Sequence, residues 1–311
     1  MANIAVVFPG QGSQYVGMGK AFYEADADCR RIFALAAQAS GLDLARLCFE
    51  GPLDELTLTV NLQPAVVAVD LCAWLALDKA GLAPMAVAGH SLGEYPALAA
   101  AGALSPEACL ELVSLRGRLM DREANAHPGA MSAIMGLAPE AVAQLCADAG
   151  GPGGVVQPAN YNTGVQTVIT GAAEAVARAG ALAKERGAKA IPLKVSGAWH
   201  SPLMAAAGRD MADAPAPLDF TPLKRVIAPN LTGQPTMDMA QAKAALVDQL
   251  TSPVRWVQSV EAMLEMGVDV FIEAGPKNVL AGLIKKIAPA TVRVFNVEDP
   301  AGVAKTLAEL G

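Results

Sequence analysis

Pro84-Met85-Ala86-Val87-Ala88-Gly89-His90-Ser91-Leu92-Gly93-Glu94-Tyr95-Pro96-Ala97-Leu98-Ala99-Ala100-Ala101-Gly102 reads as a strand, a sharp turn and a helix. Met85–Ala88 is a short apolar run, as expected for a strand buried on both faces. Gly89-His90-Ser91-Leu92-Gly93 matches G-x-S-x-G, the turn that lifts a serine above a sheet edge as a nucleophile. Small residues on either side let strand and helix approach closely. The helix that follows, Glu94–Ala101, aims free N–H groups at anything bound to Ser91. The plain alternative is an ordinary strand–helix turn with a capping serine.

Working outward, strands and helices alternate on both sides of this stretch. Ile4–Phe8 is an apolar run ended by Pro9-Gly10, a buried parallel strand. Helical patterns occupy 17–39, 64–80 and 106–124. After Asn125 the pattern changes. Strand-like Met131–Gly136, Val155–Tyr161, Gln166–Thr170 and Ala190–Val195 alternate with helical Pro139–Ala149 and Ala172–Arg186. That order, βαββαβ, predicts a ferredoxin-like unit inserted at 127–195. The flanks, 1–126 and 196–311, form an α/β core with a mostly parallel sheet. Its later elements are a strand at Arg225–Ala228, helices at Ala240–Thr251 and Trp256–Met266, and a strand at Val268–Ile272. Helix Val279–Ile287 and strand Arg293–Asn296 complete it.

Composition narrows the function classes. The 311 residues are 53% hydrophobic and 17% charged, a well-cored globular chain. A net charge of −7 argues against nucleic acid as a partner. The most apolar stretch, Ala65–Leu77, is interrupted by Asp70 and is shorter than the about 20 residues of a spanning helix. No membrane association and no secretory leader are expected, so the expected location is the cytoplasm. Five widely spaced cysteines without a CxxC pair read as buried free thiols. With only His90, His127 and His200 available, none at i, i+4 spacing, no metal site is expected.

A serine nucleophile needs a base. His90 is adjacent to Ser91 and leaves the turn in another direction, while His127 sits beside Pro128 in a polar stretch. His200, in Ser196-Gly197-Ala198-Trp199-His200-Ser201-Pro202, follows the insert at a domain junction and is the best candidate. No acid between Ser91 and His200 caps a recognisable core strand, so a third member is missing. The loop Gly10-Gln11-Gly12-Ser13-Gln14 fails the dinucleotide pattern at Tyr15 and fails the P-loop pattern at Lys20-Ala21. It remains a first-strand turn with exposed N–H groups, either half of an oxyanion hole or a plain glycine turn. Arg116 lies on the apolar face made by Cys109, Leu112, Val113, Leu119 and Met120. A buried guanidinium needs an anion, either an internal carboxylate or that of a substrate.

Together these residues resemble malonyl-CoA:acyl-carrier-protein transacylase, the discrete acyltransferase of fatty acid synthesis. The resemblance runs through Phe8–Gln14, Gln63-Pro64-Ala65, Gly89–Glu94, Arg116-Gly117 with Met120, Gly129-Ala130-Met131, Asn162 with Gln166, His200–Met204 and Gln249–Val254. It implies a hydrolase-like α/β core with a ferredoxin-like insert, Ser91 as the acylated nucleophile and His200 as its base. It further implies an oxyanion hole from the N–H groups of Gln11 and Leu92, and a malonyl carboxylate clamped by Arg116. Gln249 would orient His200 through its main-chain carbonyl, and His90, Asn162 and Gln63 would line the pocket. Trp199 stands where the family often has Phe, a bulkier residue that should not enlarge the pocket. The implied reaction is ping-pong malonyl transfer from CoA to the phosphopantetheine thiol of an acidic acyl carrier protein, with no resident cofactor; the sequence itself gives no oligomeric state, and a monomer is the expectation. Lys184, Arg186, Lys189 and Lys194, or Lys277, Lys285 and Lys286, are candidates for the basic patch such a carrier would meet. An acyl-thioester hydrolase, a non-catalytic scaffold and a trans-acting acyltransferase of polyketide synthesis are the competing readings.

Overall fold

The computed structural model describes residues 2–151, 154–214 and 219–311. Among the described residues, nine strands form two sheets: β1 Ile4–Phe8, β2 Ala86–Gly89, β3 Ala130–Met135, β4 Val156–Thr163, β5 Gln166–Gly171, β6 Lys189–Pro192, β7 Val226–Ala228, β8 Val270–Ala274 and β9 Arg293–Val297. The larger sheet has the order β7-β2-β1-β8-β9, and every neighbouring pair is parallel. The smaller has the order β4-β5-β3-β6 and is antiparallel throughout, the ferredoxin-like pairing of a βαββαβ chain. The fold is therefore the α/β core plus inserted antiparallel unit that the element pattern predicts.

Both faces of the parallel sheet are covered, which is why its strands are apolar without alternation. Val6, Phe8, Val87 and Ile272 pack on one side with helices Thr59–Lys79 and Pro106–Ala126. Ala5, Val7, Ala88 and Phe271 pack on the other with Trp256–Glu265 and Val279–Ile287. Helix Thr59–Lys79 is long and apolar enough to cross a membrane, but 78% of that window is buried inside the molecule, as a central core helix would be. The register Phe8↔Gly89 brings the ends of β1 and β2 level. The Gly10 loop and the Ser91 turn therefore leave the sheet together at its carboxyl edge, where open α/β sheets bind their ligands.

The small sheet packs helices Pro139–Ala149 and Ala173–Glu185 on one face through Ile134, Val142, Leu145, Ile169 and Ala179. Met131, Ala133, Ala159 and Val168 of its other face join the main core. Strand β4 is also tied to the core backbone: Val254 N–H donates to the Ala159 carbonyl at 2.8 Å and Tyr161 N–H to the Val254 carbonyl at 2.9 Å.

Several expectations shift. The pattern at 17–39 is two helices, Lys20–Ala25 and Ala27–Ser40, because the Asp26 side chain caps the second by accepting from Asp28 N–H. The helix expected from 64 begins at Thr59 and carries Pro64 in its second turn. The strand expected to reach Val195 stops at Pro192, and the chain turns where Val195 N–H donates to the Leu193 carbonyl at 3.1 Å. The strand expected at 268–272 lies two residues later, at Val270–Ala274. The helix expected over 240–251 ends at Asp248, and Gln249–Thr251 tightens into a 3₁₀ turn. Helices Leu44–Glu50, Leu53–Thr57, Ala205–Asp213 and Pro300–Leu310 are additions that the apolar periodicity does not announce.

Candidate active site

Ser91 stands at the end of β2 with φ 51°, a left-handed conformation disfavoured for a residue with a Cβ. The flanking glycines are steric necessities. A Cβ at Gly89 would overlap the Gly93 carbonyl group, and one at Gly93 would overlap the Phe8 carbonyl. The Gly10 loop presses on the same turn, so a Cβ at Gly10 would run into the His90 carbonyl oxygen.

His200 also sits at positive φ, 59°, in the loop between the small sheet and the core, and is 3% exposed. Its Nε2 lies 2.7 Å from Ser91 Oγ. Its Nδ1 lies 3.0 Å from the Gln249 carbonyl and 3.1 Å from that of Ser252. Carbonyls only accept, so Nδ1 carries the proton and Nε2 presents a lone pair to the Ser91 hydroxyl. Two carbonyls, one from each end of the Gln249–Ser252 turn, thus hold the ring where no acid does. The Gln157 carboxamide N–H pins the loop by donating to the His200 carbonyl at 2.9 Å. Burial, and then the nearby Arg116 charge, push the His200 pKa down to about 3, so the imidazole is neutral at physiological pH.

Arg116 projects from helix Pro106–Ala126 and is 2% exposed. Its guanidinium donates to Gln63 Oε1 at 2.8 Å, Gln249 Oε1 at 3.1 Å and Ser91 Oγ at 3.1 Å. All three acceptors are neutral, and Nε has no partner. Burial lowers its pKa from the ordinary value, while Tyr95, whose ring centroid lies 5.6 Å from Cζ, and Glu94 favour the charged form. The internal carboxylate that could have neutralised Arg116 is absent from its hydrogen-bond partners. Glu94 acts on it through charge and is linked to it through Gln249, whose Nε2 donates to Glu94 Oε2 at 2.5 Å and to the Ser91 carbonyl at 3.0 Å. Burial raises the Glu94 pKa to about 7, partly offset by Gln249, Asn230 and Arg116.

A cleft between the two sheets brings Gln11, Gln63, His90, Ser91, Leu92, Arg116 and His200 together. Met120, Met131, Asn160, Leu193, Val195 and Trp199 complete its wall. Asn162 is not part of that wall. Its Oδ1 lies 2.8 Å from His90 Nε2, so it orients a lining residue from behind. Asn160, two residues earlier on β4, lines the cleft, and β4 slips register against β5 between Pro158 and Asn160 and between Tyr161 and Thr163. Such bulges re-aim side chains. His127 is exposed and lies away from the cleft. The lysines considered for a basic patch are exposed, and Arg186 pairs with Asp148 at 2.8 Å. Lys277 Nζ reaches the Gly12 carbonyl beside the cleft loop. Sequence reasoning passed over Asn160, Asn230, Gln157 and Ser252. Ser252 lies within the resemblance stretch Gln249–Val254 but is given no role there, and the other three stand in no pattern that signals chemistry.

A serine bonded to a neutral histidine, beside an arginine to which no carboxylate is hydrogen-bonded among the described residues, is a site equipped to transfer an acyl group that ends in a carboxylate. Comparison with known proteins agrees with that class: residues 5–298 match the acyl transferase domain family. The malonyl CoA-acyl carrier protein transacylase of Bacillus subtilis (strain 168) is 42% identical over 301 residues, covering 96% of this chain and 95% of that protein. The crystal structure of an acyl carrier protein S-malonyltransferase from Vibrio cholerae superposes with a TM-score of 0.92 at 42% identity, over 98% of this chain and 100% of that one. A malonyl-transacylase solved in complex with a type II polyketide synthase acyl-carrier protein superposes at 0.93 with 38% identity, over 99% and 100%. The chain belongs to the acyl transferase family and, within it, to the malonyl-CoA:acyl-carrier-protein transacylases.

Proposed function

We propose that this enzyme moves a malonyl group from CoA to the phosphopantetheine thiol of an acyl carrier protein in two half-reactions through a malonyl ester of Ser91. The observation that carries the reading is that His200 Nε2 and the Arg116 guanidinium both lie within hydrogen-bond distance of Ser91 Oγ. In the first half-reaction His200 Nε2 takes the Ser91 proton as Oγ attacks the thioester carbonyl. The N–H groups of Gln11 and Leu92 are the donors proposed for the oxyanion. The tetrahedral intermediate collapses by breaking the C–S bond, and the imidazolium returns its proton to the departing CoA sulfur. The carrier thiol then gives its proton to His200, attacks the ester carbonyl, and restores the serine hydroxyl.

Arg116 exchanges its bond to Ser91 Oγ for the malonyl carboxylate. A bidentate pair in a desolvated cleft is worth far more there than on the surface. Burial keeps His200 a base throughout the neutral range, since its lowered pKa favours the unprotonated ring. The chemistry needs no resident cofactor, because both thiol carriers are substrates. A cytoplasmic, monomeric enzyme that meets an acidic carrier through exposed lysines completes the proposal.

The test is CoA release. One equivalent of CoA per enzyme, followed by turnover only when phosphopantetheinylated carrier protein is added, is the expected result. Steady CoA release into buffer would make the enzyme a hydrolase. Added salt should slow the step with the carrier more than the step with CoA.

A further inference from the structure

We propose that Asn230 is a positioning residue whose carboxamide stands in for a missing strand and holds Ser91 in its attacking conformation. The inference rests on Ser91 being the nucleophile. β7 pairs with β2 from Ala86↔Val226 to Ala88↔Ala228, and there the ladder stops. The next residue, Pro229, has no N–H to offer. Asn230 replaces the lost main-chain pair: its Oδ1 accepts from Ser91 N–H at 2.6 Å and its Nδ2 donates to the Gly89 carbonyl at 2.5 Å. One donor and one acceptor on the same planar amide are what a neighbouring strand would present. The orientation of the amide follows from chemistry, because Ser91 N–H can only donate and the Gly89 carbonyl can only accept.

Asn230 is itself fixed. It is 1% exposed, its N–H donates to Glu94 Oε2 at 3.3 Å and its carbonyl accepts from Arg255 N–H at 2.9 Å. Every polar group of the residue is thus paired, and the residue clamps both ends of the His90–Ser91 backbone at the point where φ turns positive. A second consequence concerns the oxyanion. The Ser91 N–H is occupied by Asn230, so that amide is withheld from the substrate, and the donation falls to Leu92 and the Gln11 loop.

The test measures acylation in a single turnover, with intact full-length protein mixed with malonyl-CoA or acetyl-CoA. Asn230→Ala should slow acylation of Ser91 by about 10²-fold, the usual cost of a misplaced reacting group. The slowing should be equal for both thioesters, with the apparent affinity for malonyl-CoA unchanged, since the Arg116 clamp is untouched. Asn230→Asp is isosteric and carries the test if the alanine variant does not fold. As a carboxylate it still accepts from Ser91 N–H but sets an oxygen against the Gly89 carbonyl. Once protonated it regains the donor, so its acylation rate should recover on acidification relative to wild type. The wild-type profile controls for Glu94, the titratable group in contact with residue 230, and for His200. A folded Asn230→Ala enzyme acylated at the wild-type rate, or an Asn230→Asp enzyme without acid recovery, would overturn the proposal. Ser91→Ala run in parallel separates the two ideas: if it still takes up the acyl group, the nucleophile assignment fails whatever residue 230 does.

Discussion

The two walls of the cleft are built differently. On the core side, Ser91 and His200 both sit at positive φ, and each is held by hydrogen bonds from residues distant in sequence. On the small-sheet side, Met131, Leu193 and Val195 offer apolar surface with Asn160 as a polar side chain among them, and Leu193 is 37% exposed at the end of an edge strand. Backbone strain persists only where surrounding contacts over-determine it. The core wall thus has the rigidity that bond-making demands, while the other wall shapes the cleft and keeps out water. If that division is right, equal-sized side-chain changes on the two walls should have very unequal effects on transfer.

The largest effect should come from the pair at the centre. His200→Ala should slow acylation by about 10²–10⁴-fold, the range for a lost general base. In the wild type, the lowered pKa of His200 means that the base stays unprotonated as pH falls below the ordinary histidine value of 6.5. The acid limb of kcat/KM, measured with malonyl-CoA, should therefore lie below 6.5. A limb at or above 6.5 would mean that the ring is more solvated than its burial implies.

Arg116→Ala should come next. Truncating one member of a buried charge pair costs about 2–5 kcal/mol, and that loss should fall on malonyl transfer, with acetyl transfer much less affected. Equal losses for the two acyl groups would remove the clamp role and leave Arg116 as a prop for Ser91 and Gln249. On the opposite wall, Leu193→Ala should change transfer by less than about tenfold, because only part of its apolar surface is buried to begin with. Its signature should instead be faster hydrolysis of the acyl-enzyme, read as CoA release in the absence of carrier protein.

The smallest effect on activity should come from Asp70, which lies in the core away from the cleft. It is fully buried in helix Thr59–Lys79, and neither carboxyl oxygen has a hydrogen-bond partner. Burial, with Glu273 adding to it, raises its pKa well above 3.8. The folded protein therefore keeps a proton that the unfolded chain releases, and stability falls as pH rises above that value. Asp70→Asn should leave transfer unchanged and flatten this dependence. Its stability relative to wild type should therefore rise between pH 4 and pH 8. Denaturant unfolding at the two pH values reads it.

Much of the core wall was legible in the sequence. The apolar run before Gly89, the two glycines around Ser91 and the arginine on an apolar helical face are each local patterns with a physical cause. His200 could be placed by its position after the insert. What escaped is what depends on distant backbone. Asn230 follows a strand of only three residues and reads as part of a Pro-Asn-Leu-Thr-Gly turn. The Gln249 carbonyl is named only through the family resemblance, and the second carbonyl, that of Ser252, is given no role because a backbone group carries no side-chain signature. Asn160 carries no pattern of its own, and Asn162 is named through the family resemblance alone. The closing helix Pro300–Leu310 was missed although Asp299 caps it and Pro300 opens it, a start signal that strand Arg293–Val297 overshadowed.

The most direct measurement is the intact mass of the protein after brief mixing with malonyl-CoA, taken for wild type and Ser91→Ala side by side. Wild type should gain the mass of one malonyl group, with peptide mapping placing it on Ser91, and the variant should gain nothing. An unlabelled wild type, or a variant that still takes up malonate, would contradict the account.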